Sequence, residues 1–222
     1  MLSHFDTVSR LIEEKLVAVV RLDSGEQLVR VAEALKAGGM SIIEFTVSTP
    51  GAIDMIKEAS ARFGDQVLMG AGTVLDPETA RAAMLAGAEF FVTPSLKLST
   101  IEMVGRYSKV MMPGALTPTE VLTAWEAGAD IVKVFPCGNV GGPKYIRALR
   151  APFAHIEMIP TGGVNLETAG EFLKAGACAV AVGAELVDSK SVAERRFDVI
   201  EERARQYLAV IAKAREEMKA VA

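Results

Sequence analysis

Cysteine and histidine are scarce in this chain, which has only Cys137, Cys178, His4 and His155. They form none of the close pairs that thiol- and imidazole-bound metals need, so no metal site and no cofactor are expected. The cysteines read as reduced packing residues. A dense lysine or arginine tract is also missing, and the formal net charge is -4. Both facts argue against a nucleic-acid or anionic-membrane partner and for a small-molecule ligand. No stretch approaches the ~20 apolar residues of a membrane span. Near the start, Glu13, Glu14 and Lys15 interrupt the one apolar candidate, so no signal peptide is expected and the expected compartment is the cytoplasm. Linkers and low-complexity tracts are missing too, which leaves no room for a second domain.

What is present is 222 residues with 50% hydrophobic and 23% charged content, enough for one large core and a single domain over 1–222. An amphipathic opening helix, Phe5 to Lys15, precedes eight apolar runs: Leu16 to Leu22, Ser41 to Val47, Val67 to Val74, Glu89 to Pro94, Lys109 to Leu116, Asp130 to Pro136, His155 to Gly163 and Cys178 to Val187. Helical patterns such as Gly25 to Ala37 and Pro77 to Ala86 separate them. Continuous apolar strands alternating with helices predict a parallel sheet buried on both faces.

An internal repeat supports the count. Gly38, Gly87, Gly128 and Gly176 each follow a helical pattern and precede a strand, 49, 41 and 48 residues apart. Each suits the position after a helix where glycine turns left-handed without steric cost. The spacing is two βα units per period. Thr49-Pro50, Asp76-Pro77 and Thr117-Pro118 each place a capping residue before a proline that needs no amide hydrogen at the first helical position. Eight βα units in a chain of this length predict a TIM (β/α)8 barrel, with an N-terminal helix and an extended C-terminal helix over Ser191 to Ala222.

Lys133 stands inside the run Ile131-Val132-Lys133-Val134-Phe135-Pro136, which otherwise reads as a buried strand. Burial disfavours the ammonium and lowers the lysine pKa, which makes the amine a nucleophile for imine chemistry on a carbonyl. The bland alternative is a strand-end lysine that reaches out to water. In a barrel, active residues collect at the C-terminal strand ends. There the chain places Arg21, Glu44, Thr73, Lys133 and Thr161. Taken singly, Arg21 is equally a rim charge, Glu44 an ion-pair partner and Thr73 a helix cap. Strand parity places Ile131, Lys133 and Phe135 on one face and Ile42, Glu44 and Thr46 on another; if both faces point inward, Glu44 and Lys133 meet. Gly162-Gly163 and Gly183 fall after the strands whose loops often bind phosphate in barrels, although glycine pairs are also ordinary turns.

Glu44 in "IIEFT", Thr73 in "GAGTV", Pro94 in "VTPS", Lys133 and Phe135 in "VKVFP" and Thr161 in "PTGGV" together resemble the class I 2-keto-3-deoxy-6-phosphogluconate (KDPG)/4-hydroxy-2-oxoglutarate (KHG) aldolases, from about Leu16 to Val187. The resemblance implies a TIM barrel, a homotrimer and metal-independent cleavage of a keto-deoxy sugar acid into pyruvate and glyceraldehyde 3-phosphate. It makes Lys133 the imine-forming lysine and Glu44 the acid/base. Arg21 and Thr73 would hold the pyruvyl carboxylate, Phe135 would pack beside the lysine, and Pro94 would join the substrate-binding set. Thr161 would help choose the gluconate over the galactonate epimer, and Gly162, Gly163, Gly183 and Ala184 would form the phosphate site.

Two departures bear on that carry-over. Ser48 stands where some members have an arginine, a role Arg21 would take over. Ala184 stands where many members have a phosphate-binding serine, which puts the phosphorylated substrate in question. A sibling aldolase acting on 4-hydroxy-2-oxoglutarate, a phosphosugar isomerase or epimerase on the same barrel, and a non-catalytic sugar-phosphate binder are the competing readings.

Overall fold

The computed structural model describes residues 3–220. Helix α1 (His4–Glu14) opens the chain on a capping box in which Ser3 and Asp6 satisfy each other's backbone N–H groups. Lys15 then turns left-handed and feeds β1 (Leu16–Val20). The chain continues through α2 (Leu28–Ala37), β2 (Ile42–Thr46), α3 (Ala52–Phe63), β3 (Leu68–Gly72), α4 (Pro77–Leu85), β4 (Phe90–Val92), α5 (Leu98–Arg106) and β5 (Val110–Met112). It ends with β6 (Gly114–Ala115), α6 (Pro118–Glu126), β7 (Val132–Val134), α7 (Pro143–Arg150), β8 (Met158–Pro160), α8 (Ala169–Lys174), β9 (Val180–Val182), α9 (Ser189–Ala193) and α10 (Phe197–Lys219).

All strand pairs are parallel, in two ladders ordered β5-β4-β3-β2-β1-β9 and β6-β7-β8. The ladders close into one ring. On one side β5 and β6 are consecutive across Pro113, whose carbonyl accepts from Lys133 N. On the other, Cys178 N donates to the Met158 carbonyl and Thr161 bridges Ala181. The barrel is therefore closed, with the predicted fifth strand, Lys109 to Leu116, broken in two because proline has no N–H for the ladder.

Alternation of side chains sorts the core into two layers. Val17, Ile42, Leu68, Phe90, Val110, Ile131 and Ile159 fill the barrel interior together with Leu11 of α1, which plugs the bottom. Ile43, Phe45, Met69, Val132 and Val134 face outward against the helices. A strand buried on both faces explains the unbroken apolar runs.

The expected helix ends are met at most positions and corrected at others. Asp76 and Thr117 cap α4 and α6 ahead of their prolines. Thr49-Pro50 does not start a helix: α3 begins at Ala52 after Gly51 in the left-handed region, and Thr49 Oγ1 instead accepts from Leu22 N. The predicted helix from Gly25 begins as a 3-10 turn, Gly25–Gln27, before α2. Gly87, Gly128 and Gly176 have φ of 105°, 97° and 101°, and each ends its helix as expected. In the first repeat the left-handed residue is Gly39, φ 96°, rather than Gly38. Gly38 is needed for close packing, because a Cβ there would lie 2.6 Å from the Ala204 Cβ of α10.

The C-terminal pattern divides into α9 and α10. Ile200, Ala204, Tyr207, Ile211 and Ala214 bury one face of α10, which packs on α2 and α8; its final turns are solvated. The last two residues of the expected helix, Val221 and Ala222, lie outside the described residues. Among the described residues no helix is long and apolar enough to cross a membrane.

Candidate active site

A carboxyl and an amine enter the barrel interior. Glu44 of β2 is 1% exposed and Lys133 of β7 is 6% exposed. Each shares its strand face with an interior isoleucine, Ile42 or Ile131, so parity places both carboxyl and amine inside the ring.

Burial dominates the chemistry of both groups. Desolvation raises the Glu44 carboxyl above its ordinary value, against the opposing pull of Lys133 and then Arg21. Desolvation also lowers the Lys133 amine, with Glu44 opposing and Arg21 assisting. Each shift favours the neutral form, since neither group has enough water to stabilise its charge. The Phe135 ring, its centroid 5.1 Å from Lys133 Nζ, favours the ammonium, but a cation–π contact of roughly 0.5–2 kcal/mol does not outweigh burial this deep. Glu44 Oε1 is buried without a hydrogen-bond partner.

At the strand ends, Arg21 follows β1 and donates from Nη2 to Thr73 Oγ1 at 3.0 Å. Thr73 caps no helix; it sits at φ 57°, a left-handed conformation uncommon for a β-branched residue. Ser48 is exposed and donates to Thr46 Oγ1 at 3.4 Å.

A cavity of about 460 Å³ opens beside these groups. Arg21, Phe135, Thr161, Gly162, Gly163, Gly183 and Ala184 all line it. Gly162 and Gly163 have φ of 84° and 75°, so the turn after β8 requires glycine at both places. Thr161 Oγ1 is buried and unpartnered. Glu44, Lys133, Thr73 and Pro94 are not part of this lining. Pro94 lies half-buried after β4, in a turn tied by Thr93, whose Oγ1 donates to the Ser95 carbonyl and accepts from Gly114 N.

Sequence reading missed three features. Asp23 and Glu185 add carboxylates to the cavity wall, with nothing in their local sequence to mark them. Gly72 lies against the Glu44 carboxyl, and its signal was a glycine inside a strand. Among the described residues no group of three or more His, Cys, Asp or Glu side chains is placed to hold a metal.

Residues 7–203 match the family model described as KDPG and KHG aldolase. The chain belongs to that aldolase family. The family name fits the buried lysine and acid, and relatives agree over most of the length. The chain is 31% identical to a 2-dehydro-3-deoxy-phosphogluconate aldolase of Haemophilus influenzae over 204 residues, 92% of this chain and 96% of the relative. It is 34% identical to a 2-dehydro-3-deoxy-6-phosphogalactonate aldolase of Escherichia coli over 182 residues, covering 81% and 88%. A KDPG aldolase from Legionella pneumophila, solved with pyruvate captured as a covalent carbinolamine, superposes with a TM-score of 0.83 at 26% identity, covering 89% of this chain and 96% of that one. The protein is thus a TIM-barrel lyase of the KDPG/KHG aldolase family.

Proposed function

We propose that this aldolase works through an imine on Lys133 and cleaves 2-keto-3-deoxy-6-phosphogluconate to pyruvate and glyceraldehyde 3-phosphate. The observation that carries the reading is the burial of an amine and a carboxyl, Lys133 and Glu44, inside one barrel, where desolvation pushes each toward its neutral form. The neutral amine adds to the C2 carbonyl, and the neutral Glu44 carboxyl protonates the departing hydroxyl as water. The resulting carboxylate then takes the proton from the C4 hydroxyl. The C3–C4 bond breaks, its electrons flow into the iminium as an enamine, and the aldehyde leaves. Glu44 returns the proton to C3, and hydrolysis of the imine frees pyruvate and restores both neutral groups.

The other roles are those the resemblance implies, and chemistry and position are compatible with most of them. Arg21, tied to Thr73, would hold the pyruvyl carboxylate, so that the keto carbon faces the amine. Phe135 would pack beside the imine, and Pro94, which does not line the cavity, keeps a place in the substrate-binding set on the resemblance alone. Thr161, with its unpartnered hydroxyl, would meet a substrate hydroxyl. Backbone N–H groups at Gly162, Gly163, Gly183 and Ala184 would meet the phosphate. Ala184 gives a specific reason to weigh 4-hydroxy-2-oxoglutarate as a second substrate, because alanine has no hydroxyl to offer a phosphate. The homotrimer implied by the resemblance belongs to the same proposal, and sedimentation would test it. Incubation with pyruvate and borohydride, followed by peptide mass spectrometry, tests the imine: a reduced pyruvyl group on Lys133 supports it, and labelling elsewhere overturns it.

A further inference from the structure

Glu44 occupies the space that a side chain at Gly72 would fill. A Cβ built on Gly72 would stand 2.2 Å from Glu44 Oε1, 2.8 Å from Cδ and 3.4 Å from Cγ. Glu44 pairs in register with Gly70, and Gly72 pairs with Thr46, so the Glu44 side chain leans along the strands toward the mouth of the barrel. Gly70, on the same face of β3, is filled from the opposite side: a Cβ there would fall 2.2 Å from the Phe90 ring. One interior glycine therefore serves the apolar core and the other serves the acid.

Backbone geometry does not explain Gly72. It lies in a regular strand and is not among the positive-φ glycines, so any residue could adopt its conformation. Glycine in a strand interior also weakens the strand. Space is the remaining reason. Because Glu44 Oε1 has no hydrogen-bond partner, no hydrogen bond holds that oxygen in place. Its location is set by the shape of the β3 surface beneath it.

We propose that Gly72 is a positioning residue for proton transfer: its missing side chain lets the Glu44 carboxyl lie over β3 at the height needed to serve an imine on Lys133. The inference rests on the reading of Glu44 as the proton carrier. A methyl group at residue 72 would push the carboxyl aside, since its three nearest atoms all belong to Glu44, whereas Lys133 enters from β7. Imine formation and proton transfer should then separate.

The test is Gly72→Ala, measured for aldol cleavage, for borohydride trapping of pyruvate on Lys133, and for exchange of the pyruvate methyl hydrogens in heavy water. Exchange needs the acid/base but no aldehyde. The expected result is retained trapping with turnover and exchange reduced by about 10- to 100-fold, a partial loss of the ~10²- to 10⁴-fold that general acid–base catalysis contributes. Glu44→Asp supplies the second arm, because the aspartate carboxyl carbon would lie near the present Cγ position, 3.4 Å from the added methyl. Combining Glu44→Asp with Gly72→Ala should therefore give faster exchange than the product of the two single effects. Wild-type exchange in Gly72→Ala overturns the inference. So does an equal loss of trapping and exchange with no compensation by Glu44→Asp, which marks a merely structural role. If Gly72→Ala alone does not fold, the double variant decides: recovery of folding and exchange supports the inference, and no recovery overturns it. Full exchange in Glu44→Gln instead removes the reading of Glu44 itself, a result distinguishable from the others.

Discussion

Arg21 and Thr73 are 52 residues apart in the chain, yet the guanidinium donates to the threonine hydroxyl at 3.0 Å. The bond reaches from the end of β1 to the end of β3, across β2 and its Glu44. Arg21 itself is exposed, so the contact orients a long, solvent-facing side chain toward the cavity it lines. A cation held beside the buried amine and carboxyl also affects both of them, and it disfavours a second positive charge on Lys133.

Replacing Arg21 tests the carboxylate clamp. A hydrogen bond to a charged group contributes ~1.5–3 kcal/mol, so Arg21→Ala should raise the Michaelis constant about 10- to 150-fold. Thr73→Val removes only the neutral partner and should have a smaller effect. Steady-state kinetics on both variants check the order, and an unchanged constant in Arg21→Ala would place the carboxylate elsewhere.

For Lys133, guanidinium cannot lose its proton in a protein, so Lys133→Arg should abolish both cleavage and borohydride trapping while leaving the barrel folded. Circular dichroism and trapping measured on the same sample check this. Surviving trapping would identify another lysine as the nucleophile.

Glu44→Gln separates binding from proton transfer. The amide keeps the shape but cannot exchange a proton, so turnover should fall at least ~10²-fold while the imine still forms. The pH dependence has a definite sign. Once the pH rises far enough to ionise Glu44, its carboxylate raises the Lys133 pKa, against burial. Removing that charge lets the amine stay neutral to lower pH, so the acid limb of the trapping rate should move to lower pH. A shift to higher pH would contradict the electrostatic coupling.

At the proposed phosphate end, Ala184→Ser introduces a hydroxyl on the cavity wall. One neutral hydrogen bond contributes ~0.5–1.5 kcal/mol, so the Michaelis constant for the phosphorylated substrate should drop about 2- to 12-fold. The constant for 4-hydroxy-2-oxoglutarate should barely change. If the unchanged protein already turns over the unphosphorylated substrate equally well or better, the second reading replaces the first.

Asp188 offers a stability test away from the barrel interior. It caps α9, accepting from Ser191 N and Ser191 Oγ, and pairs with Arg203 of α10. The Ser191 hydrogen bonds, followed by Arg203, hold its carboxyl far below the ordinary aspartate value. A carboxyl depressed in the folded state contributes stability above its unfolded pKa of about 3.9, and loses it as the pH falls toward the folded value. Asp188→Ala should cost about 1 kcal/mol at neutral pH, lowering Tm by ~2–4 °C. Thermal unfolding should show the gap narrowing below about pH 4, and a gap independent of pH would exclude the charge as its source.

Local pattern was enough to reveal much of this molecule. The apolar runs gave the strands because a strand buried on both faces must be apolar throughout. Asp76 and Thr117 marked helix starts because a cap and a following proline act within one turn. Parity grouped Glu44 with Ile42 and Lys133 with Ile131, since alternation along a strand needs no knowledge of its neighbours, while the closed barrel decided that both faces point inward.

Tertiary structure decided what depends on residues distant in the chain. Gly38 and Gly39 are both glycine, but only Gly39 turns left-handed, while Gly38 leaves room for the approach of α10. Thr49-Pro50 has the local form of a helix start, but the Thr49 hydroxyl is taken by the Leu22 N–H, and the helix waits for Ala52. The room beside Glu44, the carboxylates of Asp23 and Glu185 on the cavity wall, and the Arg21–Thr73 bond come from strands or loops that meet only when the barrel closes. Sequence sets which groups share a strand face; closure turns those faces inward and sets the distances between them, and with those the desolvation that pushes an ordinary lysine and an ordinary glutamate toward their neutral forms.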